Sequence, residues 1–115
     1  MRAKTKAVVT LVGFLVAGGF GAVARGGDDT PAVVRFQDGR FEPRQLLVKA
    51  RCALRVRVVN ANKDAIEFES FELNRERVVQ AGQEITVYLP PLEPGTYKFF
   101  DDFHHEAGQV SIKAR

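Results

Sequence analysis

From Pro31 onward the chain alternates apolar and polar positions in short runs divided by turn residues, which is the period of half-buried strands. Val33 to Gln37 is a strand candidate closed by Asp38-Gly39, a pair that favours tight turns. Phe41 and Pro43 lead into a second candidate, Gln45 to Ala50. Ala53 to Val59 alternates most clearly, with Leu54, Val56 and Val58 on one side and Arg55 and Arg57 on the other. After the loop Asn60 to Asp64, Ile66 to Leu73 reads as extended, with Glu67, Glu69, Phe71 and Leu73 on one face. Arg77 to Val79, Glu84 to Leu89, Thr96 to Phe100 and Gln109 to Lys113 complete the set, with Pro90, Pro91, Pro94 and Gly95 as a rigid connection. Seven or eight strands at spacings of roughly ten residues, without an amphipathic helix, predict a small all-β antiparallel sandwich. Its expected core is Val34, Phe36, Phe41, Leu47, Leu54, Val56, Val58, Phe71, Leu73, Val87, Tyr97, Phe99, Val110 and Ile112.

The first 24 residues follow a different rule. Arg2, Lys4 and Lys6 precede an apolar run from Ala7 to Val16, and small residues lead to Ala22-Val23-Ala24. That is the order of a secretory signal peptide, with cleavage expected after Ala24. The strictly apolar part falls short of the roughly 20 residues that span a bilayer. An uncleaved membrane anchor is the alternative. The expected organisation is therefore a signal peptide at 1–24, a flexible lead-in at 25–31 and one domain at 32–115, exported to the periplasm or beyond.

Removing the signal changes the electrostatics. The 115-residue chain has 17 basic and 14 acidic residues, and losing Arg2, Lys4 and Lys6 leaves 14 against 14. A neutral domain gives no support to nucleic-acid binding, which needs a net basic face. Cys52 is the one cysteine, so no internal disulfide is available, and it is expected as a small, mostly buried apolar residue. No serine–histidine–acid pattern, phosphate-cradling glycine loop or cysteine beside a histidine suggests an enzyme.

The chemistry concentrates in Gly95 to Gly108, GTYKFFDDFHHEAG. Tyr97, Phe99 and Asp101 share one face of a strand, and two carboxylates and two imidazoles follow within the five residues 101–105. A strand that ends on an inward Asp101, with His104 three residues later, can set two hard-metal ligands at one end of a sandwich. A solvated polar turn is the competing reading of the same residues.

GTYKFFDDFH resembles the last-strand ligand loop of cupredoxins, Gly-x-Tyr-x-Phe-x-Cys-x-x-His, through Gly95, Tyr97, Phe99 and His104. FEPRQLLVKA and VVNANKDAIEF are similar to two further cupredoxin stretches, so the resemblance covers about residues 32–113. It implies a Greek-key sandwich. The combination EFES, PLEPGTY and FFDDFH looks like the EfeO-type cupredoxin-like domains of periplasmic iron-uptake systems. Asp101 stands where the family has its copper-binding cysteine and Glu67 where it has its first histidine, while the one methionine is Met1. A blue-copper site needs a thiolate and two imidazoles, so that electron-transfer role is excluded.

The resemblance implies instead a metal site of Glu67, Glu69, Asp101 and His104. Glu67 and Glu69 are two residues apart on a strand and are expected to point inward together, beside the ligand loop. Asp102 would face away, and His105 and Glu106 lie further along the loop. Carboxylates with an imidazole suit iron first, with copper(II), manganese or zinc as alternatives. The implied partner is a membrane iron permease or another periplasmic uptake component. A second reading is a scaffold that has lost its metal and works through protein–protein contacts, with Glu67 and Glu69 paired to strand arginines.

Overall fold

A computed structural model describes residues 23–26 and 30–115. The expected signal segment up to residue 22 lies outside the described residues. Ten strands form two packed sheets: β1 (Val23–Gly26), β2 (Ala32–Gln37), β3 (Arg40–Glu42), β4 (Gln45–Val48), β5 (Leu54–Asn60), β6 (Ile66–Ser70), β7 (Arg75–Val79), β8 (Glu84–Leu89), β9 (Gly95–Asp101) and β10 (Gln109–Ala114). One sheet has the order β1-β4-β10-β9-β6-β7 and the other β3-β2-β5-β8. The all-β sandwich is as expected, and the eight anticipated runs all contain strands. The pairing is mixed rather than antiparallel throughout, because β1 with β4, β4 with β10 and β2 with β5 run parallel. Local alternation sets which residues face inward, but carries no information on strand direction.

Alternation is visible in the burial of each strand. Ala32, Val34 and Phe36 of β2 point in while Val33, Arg35 and Gln37 point out. Leu54, Val56 and Val58 of β5 are buried, as are Val110, Ile112 and Ala114 of β10. The two sheets meet through aromatic rings. Phe36 and Phe41 of one sheet contact each other edge-on at 4.9 Å, Phe41 meets Phe68 of the other at 5.8 Å, and Phe68 stacks on Phe99 at 4.2 Å. Burying rings of this size supplies much of the driving force in a chain without disulfides.

Several expected core positions move. Leu46 is buried and Leu47 only half-buried, because the parallel register sets Leu46 beside Ile112. In the adjacent pair Leu46-Leu47 the pattern alone does not choose. Leu73 and Tyr97 are half-buried at the core edge, and Phe71 is 76% exposed. Strand β6 stops at Ser70, and 71–74 form the turn into β7. The Ser70 hydroxyl accepts from the Leu73 amide at 3.2 Å, and Asn74 takes a positive φ of 53°. The strand at Val23–Gly26 is a further departure, since it includes Arg25 and Gly26 of the expected flexible lead-in and straddles the expected cleavage point.

One end of the sandwich gathers the C-terminal ends of β2, β5, β7 and β9 and the start of β6. Asn60 stitches the sheets together there. Its buried amide donates to the carbonyls of Val79 at 3.0 Å and Asp64 at 2.9 Å, and its Oδ1 accepts from the Asn62 amide at 2.9 Å.

The register of β6 is open to a direct check. Phe68→Ala removes a ring buried between two others and is expected to cost about 3–5 kcal/mol. Phe71→Ala removes an exposed ring and is expected to cost less than about 1 kcal/mol. Urea unfolding of the two variants measures the difference; equal losses would place Phe71 in the core after all.

Candidate metal centre

Strand β9 ends at Asp101, whose side chain is fully buried. In the antiparallel pairing of β9 with β6, Asp101 lies opposite Phe68 and Phe100 opposite Glu69. Directly opposed residues share a face. Asp101 and Phe68 therefore point into the sandwich, while Phe100 and Glu69 point outward. The sheet thus separates the expected ligands into two groups at the same end of the molecule.

The inner group is a carboxylate with its acceptors in use. Asp101 Oδ1 accepts from the backbone amide of Glu67 at 2.8 Å and from that of Phe103 at 2.9 Å. Asp101 Oδ2 pairs with Nδ1 of His104 at 2.5 Å. A buried carboxyl needs such partners, because losing hydration without replacement is costly. The His104 ring is half-exposed and lies 6.3 Å from Phe36, centroid to centroid. A carboxylate at Nδ1 orients the imidazole and leaves Nε2 as its remaining nitrogen for a ligand or water. Asp101 is thereby a residue that positions His104 and two backbone segments, where a direct ligand was expected.

The outer group is larger than expected. Glu67 and Glu69 do not point inward: both are half-buried on the outer face, while Ile66, Phe68 and Ser70 fill the core side of β6. The reason is energetic. The core rewards Ile66 and Phe68, and two inward carboxylates would each need partners that the apolar interior lacks. On the outer face, oxygens of Glu67, Glu69 and Glu76 all lie within 4.8 Å of one another. Glu76 of β7 is directly opposite Glu69. Like charges so placed are unfavourable in a sheet. Glu76 was absent from the expected ligand set, although a four-residue turn between β6 and β7 is enough to bring it against Glu69.

The charges respond to this crowding. Glu67 is pushed up from 4.5 to about 7, first by a hydrogen bond shared with the Glu76 carboxyl, then by burial and the charges of Glu76, Glu69 and Asp102. Glu69 is raised by burial and by Asp102 and Glu76, with His105 opposing. Asp102 faces outward, as expected, and its Oδ1 lies 3.0 Å from Nε2 of His105. That contact raises the His105 pKa. His105 and Asp102 therefore border the glutamates, while the turn His105–Ala107 leads into β10 through Gly108, whose φ of 82° and ψ of −161° suit glycine alone.

This donor set fits some metals and not others. Carboxylate oxygens with an adjacent imidazole match hard and borderline cations. Soft copper(I) chemistry finds no sulfur here among the described residues. Cys52 is half-buried at the opposite end of the sandwich, beside Arg51, whose amide bonds the Leu92 carbonyl at 2.8 Å. Among the described residues no lysine or arginine is ion-paired to Glu67, Glu69 or Glu76, so the alternative of pairing with strand arginines is not what the structure adopts.

Comparison with known proteins places these features in context. A profile of the family described as the cupredoxin-like domain matches residues 8–112. An uncharacterized protein of Rickettsia prowazekii (strain Madrid E) is 36% identical over 79 residues, 69% of this chain; the match spans 63% of that relative's length. Among solved structures, the metal-binding domain of the Streptococcus pneumoniae D39 Cu(I)-exporting P-type ATPase CopA, with Cu(I), aligns with a TM-score of 0.72 at 11% identity, covering 84% of this chain and 99% of that one. Amicyanin from Paracoccus versutus aligns with a TM-score of 0.60 at 16% identity over 76% and 83% of the two chains. A purple cupredoxin from Nitrosopumilus maritimus gives 0.57 at 14% identity over 73% and 99%. At these identities the structural matches establish the fold.

Two tests follow from the geometry. Asp101→Ala leaves two backbone amides and the His104 ring without their acceptor, and is expected to destabilise by about 3 kcal/mol in urea unfolding, with Asp101→Asn losing less. A loss below about 0.5 kcal/mol would mean the buried contacts do not hold this end together. The second test is pH. A carboxyl with a raised pKa in the folded chain binds more protons folded than unfolded, so stability falls as pH rises. For Glu67 the fall runs from 4.5 to about 7, and His105, raised above 6.5, adds to it in the same direction. Melting curves in chelator from pH 4.5 to 8 are expected to decline over that window, and to flatten in Glu76→Gln.

Proposed function

We propose that this chain, which belongs to the cupredoxin-like domain family, is an exported metal-binding domain that takes a hard or borderline cation on the outer face of its six-stranded sheet. The observation that carries this reading is the convergence of Glu67, Glu69 and Glu76 within 4.8 Å without a basic side chain to neutralise them. A cation there removes the repulsion and supplies the charge balance that the protein lacks. Asp102 and His105 border the site and supply further oxygen and nitrogen donors. Asp101 and His104 act from the inner face, holding the backbone from which Glu67 and Asp102 project.

Iron is the first candidate, with manganese, zinc and copper(II) behind it. The preference for iron, a role in metal uptake or homeostasis, and a membrane permease as partner rest on the EfeO-type resemblance. Export rests on the N-terminal pattern. The role is capture and transfer of an ion rather than turnover of a substrate. Blue-copper electron transfer is incompatible with the donor set, since Asp101 and Glu67 occupy the positions of family ligands and Cys52 is remote.

One observation favours a second reading. The inner carboxylate already has three donors, so the end where the family binds copper is closed in this chain. A metal-free accessory domain would look the same at that end. The outer glutamates discriminate, because such a domain has no use for them.

The test is melting of the chelator-treated protein at pH 7.5 with added Fe, Mn, Zn or Cu(II). A bound ion raises the melting temperature in proportion to the logarithm of its concentration above Kd. Glu69→Gln and Glu76→Gln are expected to weaken binding by about 10-fold or more each. A shift unchanged by both variants would place the site elsewhere, and no shift with any ion would favour the accessory reading.

A further inference from the structure

The outer face of the six-stranded sheet bears more than carboxylates. Phe71, 76% exposed, contacts the half-buried Phe100 edge-on at 5.0 Å, and Phe100 lies opposite Glu69. Val78, 44% exposed, lies opposite Glu67 on β7. Four carboxylates, those of Glu67, Glu69, Glu76 and Asp102, thus border an exposed aromatic and aliphatic strip, with Lys98 further along β9. The outer face of the four-stranded sheet has the opposite character. Arg35, Arg55 and Arg57 project from β2 and β5. Exposed Val33 lies beside Arg57, and Tyr88, 66% exposed, lies opposite Arg55.

We infer that the acidic, aromatic face of one copy docks on the arginine-bearing face of a second copy. The two faces are complementary in charge, and each carries uncovered apolar side chains of a size that is uncommon on the surface of a monomer. Guanidinium groups suit both halves of the acidic face, since they pair with carboxylates and stack on phenylalanine rings. Arg57 is held within its own chain only by an exposed contact to Glu84 at 3.6 Å, which is worth little and is readily exchanged. Because the two faces lie on opposite sides of the sandwich, the contact is heterologous and does not close into a dimer. Copies add in series. This docking is independent of metal, but it meets the proposed metal site in one respect: a cation held by Glu67, Glu69 and Glu76 neutralises the face that the arginines would occupy, so metal and second copy compete.

Sedimentation velocity on the chelated protein, from about 10 µM to 1 mM in 50 mM and 500 mM salt, tests the contact. A weight-average mass that grows with concentration at low salt and falls back to the monomer at high salt is expected, since surface charges are screened over a Debye length of about 10 Å at 0.1 M. Glu69→Arg and Arg57→Glu are each expected to abolish growth, and the double variant to restore it. Phe71→Ser is expected to weaken it at unchanged charge. A monomer throughout, a discrete dimer, or growth indifferent to Arg57→Glu would overturn the proposal. Dissociation by added Mn²⁺ at fixed ionic strength tests the competition separately. Its failure, with the charge-swap results intact, would count against the metal site and leave the docking contact standing.

Discussion

The candidate site depends on a single buried negative charge. Removing the Asp101 carboxylate from water is costly, and the surrounding core of Phe36, Phe68 and Phe99 offers nothing in return. The compensation comes from three donors in three different places: the amide that begins β6, the amide of the loop after β9, and the His104 ring. Satisfying that charge therefore ties two neighbouring strands and a loop to one point. The Asp102 amide adds a bond to the Glu67 carbonyl at 2.9 Å, so the pairing of β9 with β6 continues past the end of the strand. With Asp101 fixed inward, the alternation of both strands sends Asp102, Glu67 and Glu69 outward together. The geometry of the outer face is in this sense a consequence of the inner one.

How far this was legible from the residues can be followed at particular positions. Strands such as Val33 to Gln37 and Glu84 to Leu89 were readable because their apolar and polar positions alternate without ambiguity. Ile66 to Leu73 was not misread for lack of pattern. Its apolar positions Ile66 and Phe68 point one way and its carboxylates the other, which places Glu67 and Glu69 outside. The likeness of Glu67 to a family ligand position suggested the reverse, and the preference of the core for Ile66 and Phe68 decided it. Asp101 was correctly expected inside, on the same alternation as Tyr97 and Phe99. Its role was not readable, because backbone amides leave no trace in a sequence. Glu76 was overlooked for a different reason: it gains meaning only from the β6–β7 register, which the turn at 71–74 sets. Parallel pairing of β2 with β5 and the strand at Val23–Gly26 depend on long-range contacts that no local pattern encodes.

The placement of the carboxylates bears on what kind of binding they can support. In an enclosed site, ligands are held by the core and exchange is slow, which suits an ion that stays. The glutamates here stand on a rigid sheet, with only half of each side chain removed from solvent. Their positions are set by strand pairing, yet the face is open for an ion to arrive and leave. Three carboxylates supply ample charge but few of the fixed, inward-facing ligands that select one cation sharply. Such a site favours capture and release over permanent retention. The same openness leaves the face accessible to guanidinium groups as well as to metal, so whichever positive charge is more abundant determines whether the sheet holds an ion or another protein surface. A buried cluster of the same three side chains would allow neither exchange nor competition, and it is their position outside the core, imposed by Ile66 and Phe68 within it, that makes both available.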